Sequence, residues 1–260
     1  MSVLACAQLV ERGDPDRFLA AMAAPVEARA ILFPIYAYNL EVSRAPWVTE
    51  EAMIAEMRLQ FWRDVAEEIE EGKPPRAHEV ASPLAACVAP QDGPLLDGMA
   101  QARRWDIYKD AFEDQGHFDD YLEDTAGNMM WLAAKSLAGD AGDGAFEGAV
   151  RGYAWASGLA NYLRAIPDLE ARGRVPLLDG TPQALRELAS RGLAKLTTAR
   201  RAARAAIPPQ ARAAVVAGWQ AEAILKQVLD NPLRVSEGTL GTSEFSRRAR
   251  LLWVSATGRL

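Results

Sequence analysis

Residues suited to thiolate–metal or histidine chemistry are scarce in this chain, which holds two cysteines and two histidines in 260 residues. Cys6 and Cys87 form no CxxC pair and have no histidine-rich neighbourhood, so a structural zinc site is not expected. Two thiols in a chain of this size fit a reducing compartment, each serving as a small buried hydrophobe. His78 and His117 lie far apart and do not read as a catalytic pair. No apolar run approaches the roughly 18–20 residues of a membrane span. Residues 1–12 contain no basic region followed by an apolar one, so no signal peptide is expected. Positive charge is in deficit, with 29 Lys and Arg against 35 Asp and Glu and a net charge of −6. That balance argues against nonspecific nucleic-acid binding. The expectation is a cytoplasmic monomer without a nucleic-acid partner.

What remains is apolar and helical. Half of the residues are hydrophobic and a quarter are charged, enough for one large core. No Pro/Gly/Ser linker divides the chain, so a single domain over 1–260 is expected. Alanine is abundant and the β-branched alternation of strands is nearly absent, which favours helix. Asp14-Pro15 reads as a helix start with Pro at the first position. Ile31, Ile35, Tyr38 and Val42 recur on one helix face, with Pro34 expected to kink it and Pro46 to end it. Met53, Met57, Phe61, Val65 and Ile69 form an i+4 ladder through a helix over 50–71, closed by Gly72. Shorter helices are expected over 83–88 and 93–112, and another from Phe118 or Asp119 to 137. Residues 139–144 form a Gly/Asp-rich loop. A helix from Phe146 leads to Asn161-Tyr162-Leu163-Arg164 and is expected to break at Pro167. Thr181-Pro182 opens a helix to Arg204, and further helices span 211–229 and 244–253. Together these predict an antiparallel array of about eight to ten helices.

Four clusters could carry chemistry. Asp120 and Asp124 stand at i, i+4 and could share a Mg²⁺, although acids in a first helical turn are favoured by the macrodipole alone. Asp64 and Glu68 have the same spacing and read as a solvated face, with Phe61 and Trp62 as core. Arg247, Arg248 and Arg250 adjoin Leu251, Leu252 and Trp253, a pattern able to lie on an anionic membrane surface, though ordinary packing with exposed arginines is the plainer reading. Asn161 and Arg164, at i and i+3, look like the wall of a polar site.

Taken in order, several stretches resemble the squalene/phytoene synthase family over nearly the whole chain. They are Leu32-Phe33-Pro34-Ile35-Tyr36-Ala37-Tyr38-Asn39-Leu40-Glu41 preceded by Arg29; Arg58-Leu59-Gln60-Phe61-Trp62-Arg63-Asp64 followed by Gly72 and His78-Glu79-Val80; Tyr121 through Thr125-Ala126-Gly127; and Asn161-Tyr162-Leu163-Arg164 with Arg172-Gly173-Arg174-Val175-Pro176-Leu177. The resemblance implies an all-α, single-domain isoprenoid-synthase-like fold with a central cavity. Active members join two prenyl diphosphates head to head, using two Asp-rich motifs to hold Mg²⁺ against the departing diphosphates.

The sequence departs from the family where that chemistry is done. The acidic positions of the first motif fall on Ser43, Arg44 and Trp47. Those of the second fall on Ala165 and Leu169. Glu41 is no substitute for a carboxylate at 43, because two residues turn a helix by about 200°. Asp168 is a single displaced carboxylate. The expectation is therefore no catalytic residue, no metal ligand and no cofactor. Candidate ligand-binding residues are Arg44, Asn161, Arg164 and Asp168. A guanidinium can take phosphate bidentately, or Arg44 can simply pair with Glu41. The chain looks similar to a degenerate branch of the family that contains a mitochondrial respiratory complex I assembly factor. That likeness implies binding of an isoprenoid, lipid or anionic ligand, or help in assembling a membrane complex, with peripheral membrane contact. The alternative is a divergent Mg²⁺-dependent prenyltransferase that recruits Asp168 with Asp64 or with Asp120 and Asp124.

Overall fold

The computed structural model describes residues 2–139 and 144–257. The described residues are helical and contain no strand. The α-helices are α1 (Val3–Gly13), α2 (Pro15–Ala23), α3 (Val26–Arg44), α4 (Ala52–Glu70), α5 (Ala81–Ala85), α6 (Gly93–Ala102), α7 (Arg104–Tyr108), α8 (Gln115–Leu122), α9 (Asn128–Ala138), α10 (Gly144–Ala171), α11 (Pro182–Ala206), α12 (Arg212–Val216), α13 (Ala221–Asp230), α14 (Leu233–Ser236) and α15 (Glu244–Thr257). A π-helical turn, Glu123–Gly127, joins α8 to α9. Several of these helices are single turns, so the elements outnumber the eight to ten expected.

The residues cluster into two compact units, neither continuous in sequence. The first comprises Met1–Tyr108, Asn128–Gly142 and Pro208–Ala217. The second comprises Lys109–Gly127, Asp143–Ile207 and Gly218–Leu260.

In the first unit α3 is the central helix. Leu32 through Leu40 are all buried, on every side of the axis, the mark of a core helix and not of a surface one. Pro34 lies inside α3 without ending it. Proline removes one N–H from the ladder and crowds the carbonyl four residues back, but this helix is packed from α1, α2, α5, α6 and α9. The Tyr38 hydroxyl donates to the Leu96 carbonyl at 2.6 Å. In α4 the inward stripe is Ala55, Leu59, Trp62, Val65, Ala66 and Ile69. The expected ladder thus holds only in its C-terminal half. Met53 and Met57 are exposed, because the helix turns its leucine and tryptophan side inward at that end. Lys109, with φ +60°, stops the segment expected to run helically to 112.

The second unit is built on α10. Tyr153 through Ala160 are buried without exception. Small residues let the neighbours approach: a Cβ on Gly158 would lie 2.6 Å from Ala126 Cβ in the π turn, and one on Gly152 would lie 3.1 Å from Ala199 Cβ in α11. Gly192 in α11 does the same for Leu159 and Leu225. The helix runs through Pro167 to Ala171, correcting the expected break. It ends at Gly173, whose φ is +78°. Thr181 caps α11 as anticipated, its Oγ1 accepting from the Ala184 N–H. The helix expected over 211–229 is interrupted by a turn at 217–220 containing Gly218. The Gly/Asp-rich loop expected over 139–144 falls largely outside the described residues.

A charged clamp joins α11, α13 and α15. Arg200 donates to Glu222 Oε2 at 2.7 Å and Arg250 donates to the same oxygen at 3.0 Å. Arg250 also reaches the Trp219 carbonyl at 2.9 Å. Burial raises the Glu222 carboxyl, but bonds from Lys226, Arg200 and Arg250 outweigh it and lower its pKa from 4.5 to about 2. A depressed carboxyl stabilises the fold fully above its unfolded value and loses that contribution as pH falls through the folded one. The melting-temperature gap between wild type and Glu222→Gln is therefore expected to be widest near neutrality and to shrink from about pH 4.5 towards 2. A gap independent of pH would contradict the assignment. Packing at Gly158 makes a second prediction. Gly158→Ala gains helix propensity yet is expected to lower unfolding free energy by about 1–3 kcal/mol through overpacking, read by urea denaturation; stabilisation would show that the π turn yields freely.

Candidate functional site

The candidate site is the outer face of α10 and the chain that leaves it. Asn161, Arg164 and Asp168 stand at i, i+3 and i+7, which aligns them on one helix face. Asn161 and Asp168 are exposed and Arg164 is half-buried. The opposite side, Tyr162, Leu163 and Ile166, is buried. Tyr162 lies among Phe118, Tyr121 and Phe112, with ring centroids 5.3, 6.0 and 6.3 Å away. Its hydroxyl donates to the Pro176 carbonyl at 2.8 Å. That bond folds the exit segment back along the helix it has just left. Arg174, inside this returning segment, is buried.

Arg44 closes α3 in the first unit. It is exposed, and its guanidinium lies against the α1 terminus, 3.1 Å from where a Cβ on Gly13 would stand. Ser43 turns its hydroxyl onto the Leu40 carbonyl at 3.1 Å. The four candidates therefore divide between the units, one in the first and three in the second.

Asp119, Asp64 and Glu68 are held by protein cations. Asp119 takes a bidentate pair from Arg191, at 2.8 and 2.9 Å. Arg76 binds Glu68 at 2.7 Å and Asp64 at 3.0 Å, so this face is an ion-paired anchor for the loop after α4 and not merely solvated. The cap of α8 is Asp114, which accepts from the His117 N–H at 2.8 Å. The run at 119–124 thus sits a turn later than the first-turn reading placed it. Burial holds Glu123 and Asp124 above the ordinary carboxylate range; Arg151 and Lys195 pull Glu123 back, and Asp120 pushes Asp124 further up. Burial also raises the Cys6 thiol to about 11 and the Cys87 thiol to about 12, which leaves neither as a thiolate nucleophile near neutrality.

Sequence reasoning missed the cation pair on Trp155. This residue is fully buried, yet Arg191 and Lys195 of α11 lie 4.7 and 4.8 Å from its ring centre. The i, i+4 spacing of the two cations was readable, but their target was not. A pocket of about 260 Å³ opens beside them, lined by Phe118, Leu177, Leu178, Asp179, Leu188 and Arg191 among others. Its walls mix apolar side chains with Gln115, Asp179 and Glu187, and its arginine is already committed to Asp119.

The profile of the family described as squalene/phytoene synthase matches residues 10–177. The chain belongs to this family. Two solved structures share its fold. A dehydrosqualene synthase in complex with ligand aligns with a TM-score of 0.72 and 14% identity, covering 98% of this chain and 95% of that one. The squalene synthase HpnC from Alicyclobacillus acidocaldarius aligns with a TM-score of 0.70 and 18% identity over 92% and 95%. Among curated proteins, the NADH dehydrogenase (ubiquinone) complex I assembly factor 6 homolog of Drosophila melanogaster is 28% identical over 179 residues, 66% of this chain and 53% of that protein. The Homo sapiens assembly factor 6 is 26% identical over 172 residues, 65% and 51%. The chain spans about half the length of these curated relatives.

The residues do not fit the family's metal. At the positions where the resemblance read from sequence would put its carboxylates stand Ser43, Arg44, Trp47, Ala165 and Leu169. Among the described residues no group of three or more His, Cys, Asp or Glu is arranged to hold a metal ion. The carboxylates Asp64 and Asp119 are tied to arginines.

The tie from Tyr162 to Pro176 yields a test of how the exit segment is held. Tyr162→Phe leaves a buried carbonyl without its donor and is expected to cost about 1–3 kcal/mol. Limited trypsin digestion at Arg172 and Arg174 should accelerate; unchanged cleavage would show that other contacts hold the segment.

Proposed function

We propose that this chain is a non-catalytic member of its family that assists assembly of a membrane complex. The observation that carries this reading is the residue set Ser43, Arg44, Trp47, Ala165 and Leu169. An apolar, hydroxyl or cationic side chain at each of these positions cannot hold Mg²⁺ against a diphosphate, and the ionisation of a prenyl diphosphate depends on such cations. Arg44 even reverses the charge. The likeness to assembly factors supports the same direction, as does the retention of the fold and of the Asn-Tyr-Leu-Arg stretch where the metal positions are lost.

On this reading Arg44, Asn161, Arg164 and Asp168 serve recognition. The polar face of α10 would contact a partner subunit or the headgroup of an isoprenoid or other lipid. Work at a membrane complex requires only peripheral contact, and no helix among the described residues is long and apolar enough to cross a membrane.

The test is turnover. The full chain incubated with farnesyl or geranylgeranyl diphosphate and Mg²⁺ is expected to release no pyrophosphate above the enzyme-free control. Pyrophosphate release with a prenyl product would overturn the proposal and reinstate a divergent prenyltransferase. Affinity capture is expected to return subunits of a membrane complex, with recovery reduced by Asn161→Ala/Arg164→Ala.

A further inference from the structure

The C-terminal helix α15 is apolar on two opposite sides. Leu251 and Val254 face inward and are buried. On the outer side, Phe245 is 82% exposed, Leu252 is 70% exposed and Trp253 is 52% exposed. Phe245 and Leu252 are seven residues apart and so lie within about 20° of each other around the helix. Ala249 and Ala256 fall on the same arc and are exposed too. This is a continuous outward apolar stripe, more than the scattered single residues a soluble surface normally shows.

The helix is nevertheless tied down at its start and its middle. Gln227 clasps the backbone just before it, donating to the Gly241 carbonyl at 2.8 Å and accepting from the Gly241 N–H at 2.9 Å. Arg250 fixes its middle to Glu222 and Trp219. The bare stripe is thus presented by a tethered helix with its inner face already packed.

The charge around the stripe indicates what covers it. Glu222 joins α15 to α11 by gathering Arg250 and Arg200 on one oxygen. The basic residues of α11 are Arg186, Arg191, Lys195, Arg200, Arg201 and Arg204, against one acid, Glu187. Arg201 and Arg204 are exposed. On α15, Arg247, Arg248 and Arg250 stand against Glu244 alone. Arg248 flanks the stripe and is paired with Glu244 at 2.8 Å. The chain as a whole carries −6, so these two helices carry an excess of basic residues in an acidic protein. Another exposed apolar face, Met53, Ile54 and Met57 on α4, adjoins the acidic residues Glu50, Glu51 and Glu56.

We propose that α15 is a docking helix for an anionic lipid surface. Phe245 and Leu252 enter the acyl boundary, Trp253 lies at the headgroup level, and Arg248 with the exposed arginines of α11 meets the lipid phosphates. Three of these features are separable: an apolar stripe with an aromatic flank, a basic surround, and an acidic remainder that orients these helices towards negative lipid. The three C-terminal arginines do not act together as the sequence pattern implied. Arg250 is an internal clamp, and Phe245, outside the cluster read from sequence, is the most exposed anchor. The inference is independent of whether the chain turns over prenyl diphosphates.

The test is co-sedimentation of the full chain with vesicles of phosphatidylcholine and phosphatidylglycerol, beside vesicles of phosphatidylcholine alone. Wild type is expected to bind the mixed vesicles and to bind the neutral ones more than about tenfold less, with high salt releasing it. Phe245→Glu/Leu252→Glu should weaken binding to mixed vesicles by more than about tenfold. Both positions are exposed, so helicity and melting temperature should stay as in wild type. Met53→Glu/Met57→Glu should bind as wild type does. Equal binding by the Phe245/Leu252 variant, failure of wild type to bind at low ionic strength, or loss of binding in the Met53/Met57 variant would overturn the proposal. So would a wild-type dimer that the Phe245/Leu252 variant dissociates in the absence of vesicle binding, since a second copy would then be what covers the stripe.

Discussion

A helix buried around its whole circumference must receive neighbours from every direction, and α10 does so by being small where they come closest. Gly152 accepts α11, and Gly158 accepts the π turn. Between them Trp155 fills the remaining volume at full burial. Close approach at two points fixes both the depth and the rotation of α10 in its unit. The polar face at 161–168 then points where the packing at 152–160 directs it. For this reason the fold can be kept whatever stands at the expected metal positions. The residues that set the packing and the residues that would set the chemistry occupy successive turns of one helix.

Electrostatics in the second unit follows a different rule from the family's reaction. Two carboxylates here that could hold cations of solution are bound by the protein's own. Asp119 is bound by Arg191, and Glu222 by Arg200 and Arg250. A carboxylate already paired and partly desolvated has little left to offer an incoming ion. In the first unit Arg76 does the same to Asp64 and Glu68. Asp64, Glu68 and Asp119, which look available in the sequence, have become structural anchors.

The helical class and most helix starts were legible because they depend on short-range signals: caps and prolines. Asp14-Pro15 and Thr181-Pro182 are local chemistry and appear as read. What was not legible depends on burial. Met53 and Met57 continue a perfect ladder in sequence, yet lie outside, because which side of α4 turns inward is settled by Leu59 and Trp62. Pro167 reads as a stop, and locally it is one, but the packing of α10 carries the helix past it. Trp155 gives no sign in sequence of the two cations over its ring, since those arrive from a helix thirty-odd residues on. Arg250 belongs by spacing with its neighbours 247 and 248, and by contact with Glu222.

The helical tail after Pro167 has a consequence for the returning chain. Four further residues advance the backbone by about 6 Å before Gly173 reverses it. The segment must then travel back along that same length, which is how the Pro176 carbonyl comes to lie beside Tyr162, a residue from before the proline. The tail therefore acts as a spacer that sets the register between the Asn-Tyr-Leu-Arg turn and the Arg-Gly-Arg exit. Each residue added to or removed from it would rotate the reversal by about 100° around the axis. The two stretches that mark the family are thus held in phase by the length of the helix between them, and that length tolerates substitution far more readily than insertion.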